Sequence, residues 1–175
     1  MNDVFVEYMV KKRMSGKDIA LSIFLVIVAI SLFVFCVFFM PAILGELAFL
    51  GAIVGVAVLY LAYFVITNMN VEYEYIVTNG EIDIDKIIAR RKRQRLVTAN
   101  ARIFEAFGDY NPLDHTDKNY TSRIFACESE YTPAKYAVFT HVSLGKTLLV
   151  FTPDDRTVDA LKKFIPLKAM KAFEE

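Results

Sequence analysis

Two stretches of the chain carry side chains of the kinds that react or coordinate. Asp109-Tyr110-Asn111-Pro112-Leu113-Asp114-His115-Thr116-Asp117 sets Asp114, His115 and Asp117 close together. Carboxylate oxygens with an imidazole suit divalent ions, but this spacing matches no established ligand pattern. The same segment reads equally well as a polar surface loop, long enough to bind something. Cys127 with His141 or His115 would supply a thiol and an imidazole for nucleophilic chemistry. Cys127 closes the strand-like run Arg123-Ile124-Phe125-Ala126-Cys127, where a buried, inert thiol is the ordinary outcome. The chain has no phosphate-binding glycine loop, no H-E-x-x-H and no G-x-S-x-G. The expectation is a protein that is not an enzyme, with no cofactor and no metal.

Charge offers a second kind of chemistry. Lys11, Lys12, Arg13 and Lys17 precede a long apolar run, and Arg90, Arg91, Lys92, Arg93 and Arg95 form a second basic stretch. Such clusters bind anionic lipid, nucleic acid or acidic partners. The whole chain has 20 basic and 20 acidic side chains and no net charge, which argues against nucleic acid. Anionic lipid or a protein partner is left for these residues.

These residues must be positioned by something, and the composition says what. Of 175 residues 55% are hydrophobic and 23% charged, too apolar for a disordered chain or an ordinary soluble domain. Two cysteines, Cys36 and Cys127, exclude a disulfide-rich scaffold. The apolar excess is early. Residues 19–40 carry no charge and would make about 33 Å of helix, enough to cross a hydrocarbon core of about 30 Å. Residues 47–66 form a second such run, and the link at 41–46 is too short for anything but an antiparallel pair. Pro41 marks the end of the first run. Basic residues flank the pair and none lies in the link, so the positive-inside rule puts both termini in the cytoplasm of a multi-pass cell-membrane protein.

Within the second run, Gly51 and Gly55 form a G-x-x-x-G, which lets two helices approach closely. The partner is either the first run or a second copy of the chain. Glu46 belongs at the outer interface, and two runs without an internal ionisable residue make a poor channel. Residues 1–18 form a cytoplasmic segment: an interfacial helix built on Val4, Phe5, Tyr8 and Met9, or a polar tail.

Residues 68–175 are a different material, with acids and bases in equal number. Residues 71–78 alternate with period two, Asn79-Gly80 follows, and alternation resumes at 81–85. This is a hairpin, because both turn residues must take positive φ. A two-residue turn puts Val77 opposite Ile82, Tyr75 opposite Ile84 and Val71 opposite Ile88 on an apolar face. Glu74 then faces Asp85 on an acidic one, which calls for a basic neighbour. Alternating Arg91, Arg93 and Arg95 on the next strand supply it. Further strands fall at about 95–106, 121–127, 134–142 and 146–151. Thr152 as N-cap and Pro153 at the first helical position then open an amphipathic helix over about 153–165 that covers the sheet.

The runs Tyr73-Glu74-Tyr75-Ile76-Val77-Thr78-Asn79-Gly80, Phe104-Glu105-Ala106-Phe107-Gly108 and Leu148-Leu149-Val150-Phe151-Thr152-Pro153 carry a resemblance. With the basic strand to Arg95, they resemble the bacterial pleckstrin-homology-like domains. There a bent antiparallel sheet is closed by a C-terminal helix. With the paired spans, the whole is similar to a bacterial family of two-span membrane proteins with a C-terminal pleckstrin-homology-like domain. The resemblance implies a membrane α+β architecture: an N-terminal helical hairpin at 19–67, then the β domain at 68–175. It implies no catalytic residue. The function expected is a membrane-anchored cytoplasmic platform for a protein partner or anionic lipid, self-associating through Gly51 and Gly55 if those glycines face a second copy. An accessory subunit of a transport or envelope complex is the alternative, and an enzyme or metal site in the 109–117 loop a remote one.

Overall fold

A computed structural model describes residues 3–116, 119–129 and 132–171 of the chain. They fall into two compact units. One holds residues 14–70; the other combines residues 3–13 with the chain from Val71 onward.

The helical unit contains α1 (Gly16–Phe38), the short α2 (Met40–Leu44) and α3 (Ala48–Asn68). A capping box starts α1: Ser15 Oγ accepts from the Lys17 N–H, and Asp18 Oδ2 accepts from the Ser15 N–H. Pro41 falls in the first turn of α2, where its missing N–H costs nothing. Glu46 sits exposed in the turn Gly45–Leu47 between the helices. Both long helices point most of their large apolar side chains outward, Phe24, Ile27 and Ile53 among them. Each is long and apolar enough to cross a membrane.

Where α1 and α3 meet, the glycines make the contact. A Cβ on Gly51 would lie 2.7 Å from Met40 Cβ and 2.8 Å from the Cys36 carbonyl oxygen; one on Gly55 would lie 2.9 Å from Phe33 Cδ2. The G-x-x-x-G thus packs against the first helical segment of the same chain, with Gly51 and Gly55 both buried there.

The β unit begins where an interfacial helix or a tail was expected. Phe5–Lys11 is a strand, β1, paired antiparallel with β2 (Val71–Thr78) from Phe5 opposite Thr78 to Lys11 opposite Glu72. Tyr8 and Val10 turn inward onto the core while Phe5, Glu7 and Met9 turn out, the period-two pattern of a half-buried strand. The β domain thus starts before the helices, and the expected boundary at residue 68 divides it.

Next come β3 (Glu81–Ile88) and β4 (Lys92–Asn100), completing a sheet in the order β1-β2-β3-β4. The Asn79-Gly80 hairpin has the register its turn dictates, with Val77 opposite Ile82, Tyr75 opposite Ile84 and Glu74 opposite Asp85. Asn79 and Gly80 both have positive φ, and a Cβ on Gly80 would lie 2.6 Å from the Phe164 ring. The strand expected over 95–106 breaks at a tight turn, Ala101–Ile103, and its continuation β5 (Ala106–Asp109) belongs to a second sheet. That sheet runs β5-β7-β8-β6, with β6 (Ser122–Ala126), β7 (Lys135–His141) and β8 (Gly145–Phe151). β6 pairs parallel with β8, contrary to an all-antiparallel expectation.

The main core lies between the sheets and under α4 (Asp155–Lys162), which contributes Val158, Ala160 and Leu161. Asp154 caps α4, accepting from the Thr157 N–H at 3.0 Å. Thr152, expected as the cap, instead accepts from the Glu128 N–H through its Oγ1 at 3.2 Å. A short α5 (Leu167–Lys171) follows Pro166. One side chain ties the sheets together: the wholly buried Tyr75 hydroxyl on β2 donates to the Ala126 carbonyl at the end of β6 and accepts from the Thr152 N–H just beyond β8.

The charged face and base of the first sheet

The register builds a charged face on the outside of the first sheet. Glu72 and Glu74 on β2, Asp83 and Asp85 on β3, and Arg93 and Arg95 on β4 all share it. A bulge between Ile84 and Asp85 skips Leu96 and sets Arg95 directly opposite Asp85. Three of the carboxylates are buried: Glu72, Glu74 and Asp85 expose 6%, 2% and 2%. Buried carboxylates require counter-charges, and the basic stretch provides them. Arg93 Nη2 lies 2.5 Å from Glu74 Oε2, and its Nε lies 3.8 Å from Asp85 Oδ2. Arg95 Nε donates to Asp85 Oδ1, its Nη1 lies 2.6 Å from Asp83 Oδ1, and Arg90 Nε donates to Glu72 Oε1 at 3.0 Å.

Burial and charge pairing pull in opposite directions on this face. Glu74 has its pKa raised, above all by burial, with Glu7 and Asp85 adding to the effect and Arg93 opposing it. Arg95 is raised further above its ordinary range, chiefly by its hydrogen bond to Asp85.

The end of this sheet where the strands meet residues 12–13 and 69–70 has a different character. Lys11 closes β1, Lys12 donates its N–H to the Val71 carbonyl, and Arg13 is held by Glu128, whose carbonyl and Oε1 accept from its N–H and Nε at 2.7 and 2.6 Å. The β3–β4 turn is at the same end, since Val71 pairs with Ile88 and Ile88 with Lys92. In that turn Ala89 and Arg90 both have positive φ, 53° and 55°, a conformation unfavourable for residues with a Cβ. Arg90, Arg91, Lys92 and Arg93 are exposed there. Arg91 is part of this turn, and the arginines of β4 are Arg93 and Arg95. Lys17 belongs to the helical unit, exposed in the first turn of α1.

The reactive candidates have other partners. His115 is buried, its Nδ1 2.8 Å from the Tyr120 hydroxyl and its ring packed against Tyr110 and Tyr136. Arg123 donates to its carbonyl. The loop around it covers a second apolar cluster on the outer side of the second sheet, built on Tyr136, Val138, Leu148 and Val150. Asp114 is exposed, and Asp117 lies outside the described residues. Burial pushes the Cys127 thiol up, away from the thiolate a nucleophile requires. His141 Nδ1 accepts from the Ser143 N–H at 3.2 Å. Among the described residues no three His, Cys, Asp or Glu side chains gather as a metal cluster.

The chain from residue 2 to residue 171 matches the family described as Bacterial PH-like domain (DUF6106). The chain belongs to this family. The match runs through β1, both long helices and the sheets. No curated protein and no solved structure matches the chain. PH-like domains are as a class binding modules rather than enzymes.

Proposed function

We propose that the protein is a non-enzymatic, membrane-anchored binding platform. Its helical pair crosses the cell membrane, and its PH-like unit works at the cytoplasmic surface on a protein partner or anionic lipid. One observation carries the reading: β1 and β2 flank the helical pair in sequence yet are neighbours in one sheet. The chain before the pair and the chain after it therefore lie on the same side of any bilayer the pair crosses. Flanking Lys11, Lys12, Arg13 and Lys17, with no Lys or Arg between Pro41 and Glu46, support the cytoplasm as that side.

The test is labelling of single cysteines in intact cells with a membrane-impermeant maleimide, after Cys36 and Cys127 are replaced by alanine. Glu46→Cys, in the exposed turn between the helices, is expected to label from outside. Val142→Cys, fully exposed in the PH-like unit, is expected to label only after permeabilisation. Labelling of Val142→Cys in intact cells would overturn the orientation.

A further inference from the structure

We infer that the base of the first sheet, formed by Lys11, Lys12, Arg13 and the 90–93 turn, docks on anionic phospholipid headgroups of the bilayer that holds the helices. The inference rests on the membrane-anchored reading above and names the ligand and the surface.

Two basic clusters distant in sequence are brought to one end of one sheet by the strand register. Seven cations collect there, all exposed. Among the described residues Glu72, Glu74, Asp85 and Glu128 pair with Arg90, Arg93 and Arg13. Lys11, Lys12 and Lys92 form no ion pair among the described residues. Arg13 and Arg90 keep about three quarters of their side chains exposed even when paired, 73% each. The charged face further along the strands is instead self-neutralised, its Asp83 and Asp85 taken by Arg95.

Chain reach decides which surface this end meets. Two residues separate Asn68, the last of α3, from Val71, the first of β2. At no more than about 3.6 Å per residue, the base lies within about 11 Å of the helix end. Four residues separate Lys11 from Gly16, a reach of about 18 Å at most. The Asn79-Gly80 end is about 23 Å farther along the strands. Whatever the tilt of the unit, the cationic end is the one the tether holds near the headgroups. Each basic residue there favours an anionic surface by about fivefold.

The experiment is hydrogen–deuterium exchange on the full chain in lipid nanodiscs. One set is pure phosphatidylcholine; the other contains about 30% phosphatidylglycerol, an anionic lipid. Amides of residues 11–13 and 89–93 are expected to exchange about fivefold more slowly in the anionic discs, while the 79–81 turn is unchanged. The difference should vanish in about 1 M salt, where screening acts within about 3 Å. Lys12→Gln with Lys92→Gln, which breaks no ion pair, should shrink it several-fold. Equal exchange in the two compositions would overturn the inference, leave the membrane-anchored reading intact and favour an acidic protein partner. A chain that enters neither kind of disc would overturn both.

Discussion

Replacing Tyr75 by phenylalanine removes one oxygen from the interior and tests whether the two sheets are joined as described. The hydroxyl is wholly buried and is shared by groups from the second sheet, the Ala126 carbonyl and the Thr152 N–H. Its environment holds it un-ionised, burial raising its pKa far above the ordinary tyrosine range. Phenylalanine preserves the ring contacts with Tyr8 and Phe151, so packing is little changed. What is lost is a donor to Ala126 and an acceptor for Thr152, and leaving a buried group unsatisfied costs about 1–3 kcal/mol. Recovering the desolvation of the hydroxyl offsets part of that. The expected net loss is about 2–4 kcal/mol, a large share of a typical 5–15 kcal/mol stability. For a unit of this size that corresponds to a fall in Tm of roughly 6–15 °C. The assay is near-UV circular dichroism of the detergent-solubilised full chain during heating. It reads tyrosine packing cleanly because the chain has nine tyrosines and no tryptophan. Tyr63→Phe, on the exposed side of α3, serves as control. A Tm for Tyr75→Phe within about 2 °C of the parent, against the expected loss, would refute the bridge.

Three further perturbations follow from the same geometry. Gly51→Ala places a methyl against the Cys36 carbonyl and Met40, so the helical pair should lose about 1–3 kcal/mol of resistance to SDS unfolding. The mass by light scattering should stay unchanged, and a shift in mass would show that the glycine faces another copy. Glu74, raised by burial first, favours the fold when protonated, so its contribution fades as pH rises from about 4.3, the unfolded value, through its folded pKa. Glu74→Gln should accordingly raise the Tm at pH 7 and flatten that part of the profile; a lowered Tm would mean that the Arg93 pair outweighs burial. Asp154→Ala removes the cap of α4 and should cost about 1 kcal/mol, read as a drop in Tm. Burial tends to raise the Asp154 carboxyl, but Thr157 and Arg156 together hold it below its usual range. That stabilisation is full above about pH 4 and is lost as pH falls through the folded pKa, a loss the alanine variant should not show.

Local chemistry was legible in the sequence, and distant pairing was not. The Asn79-Gly80 turn admits one register, so the facing of Glu74 and Asp85 and their need for arginine could be read in advance. The apolar runs were as plain, since length and composition alone define them. The first strand escaped notice because its partner begins only at Val71, with both long helices between. Its signal was there in Val6, Tyr8 and Val10 alternating with Phe5, Glu7 and Met9. The basic cluster just ahead of the apolar run carries a topology signal that overlies the strand pattern. The break at Ala101–Ile103 and the parallel placement of β6 depend on how two sheets meet, which no short window of sequence encodes. For the candidate site, the arginine–carboxylate pairing was foreseeable from alternation. The joining of Lys11–Arg13 to the 90–93 turn required the missing strand.

That strand also bears on how the protein is made. Synthesis delivers β1 first, then two hydrophobic helices, and only then the strand that completes its hydrogen bonding. Until Thr78 has left the ribosome, Phe5 has no strand partner, and on the membrane-anchored reading proposed above the sheet closes only if both helices cross in opposite senses. A chain that inserted a single helix would strand its first segment on the wrong side. It would leave β2 with a bare edge and Tyr75 without Tyr8 against its ring. On the membrane-anchored reading proposed above, completion of the sheet is therefore a check on topology, and a misinserted chain would expose unpaired backbone.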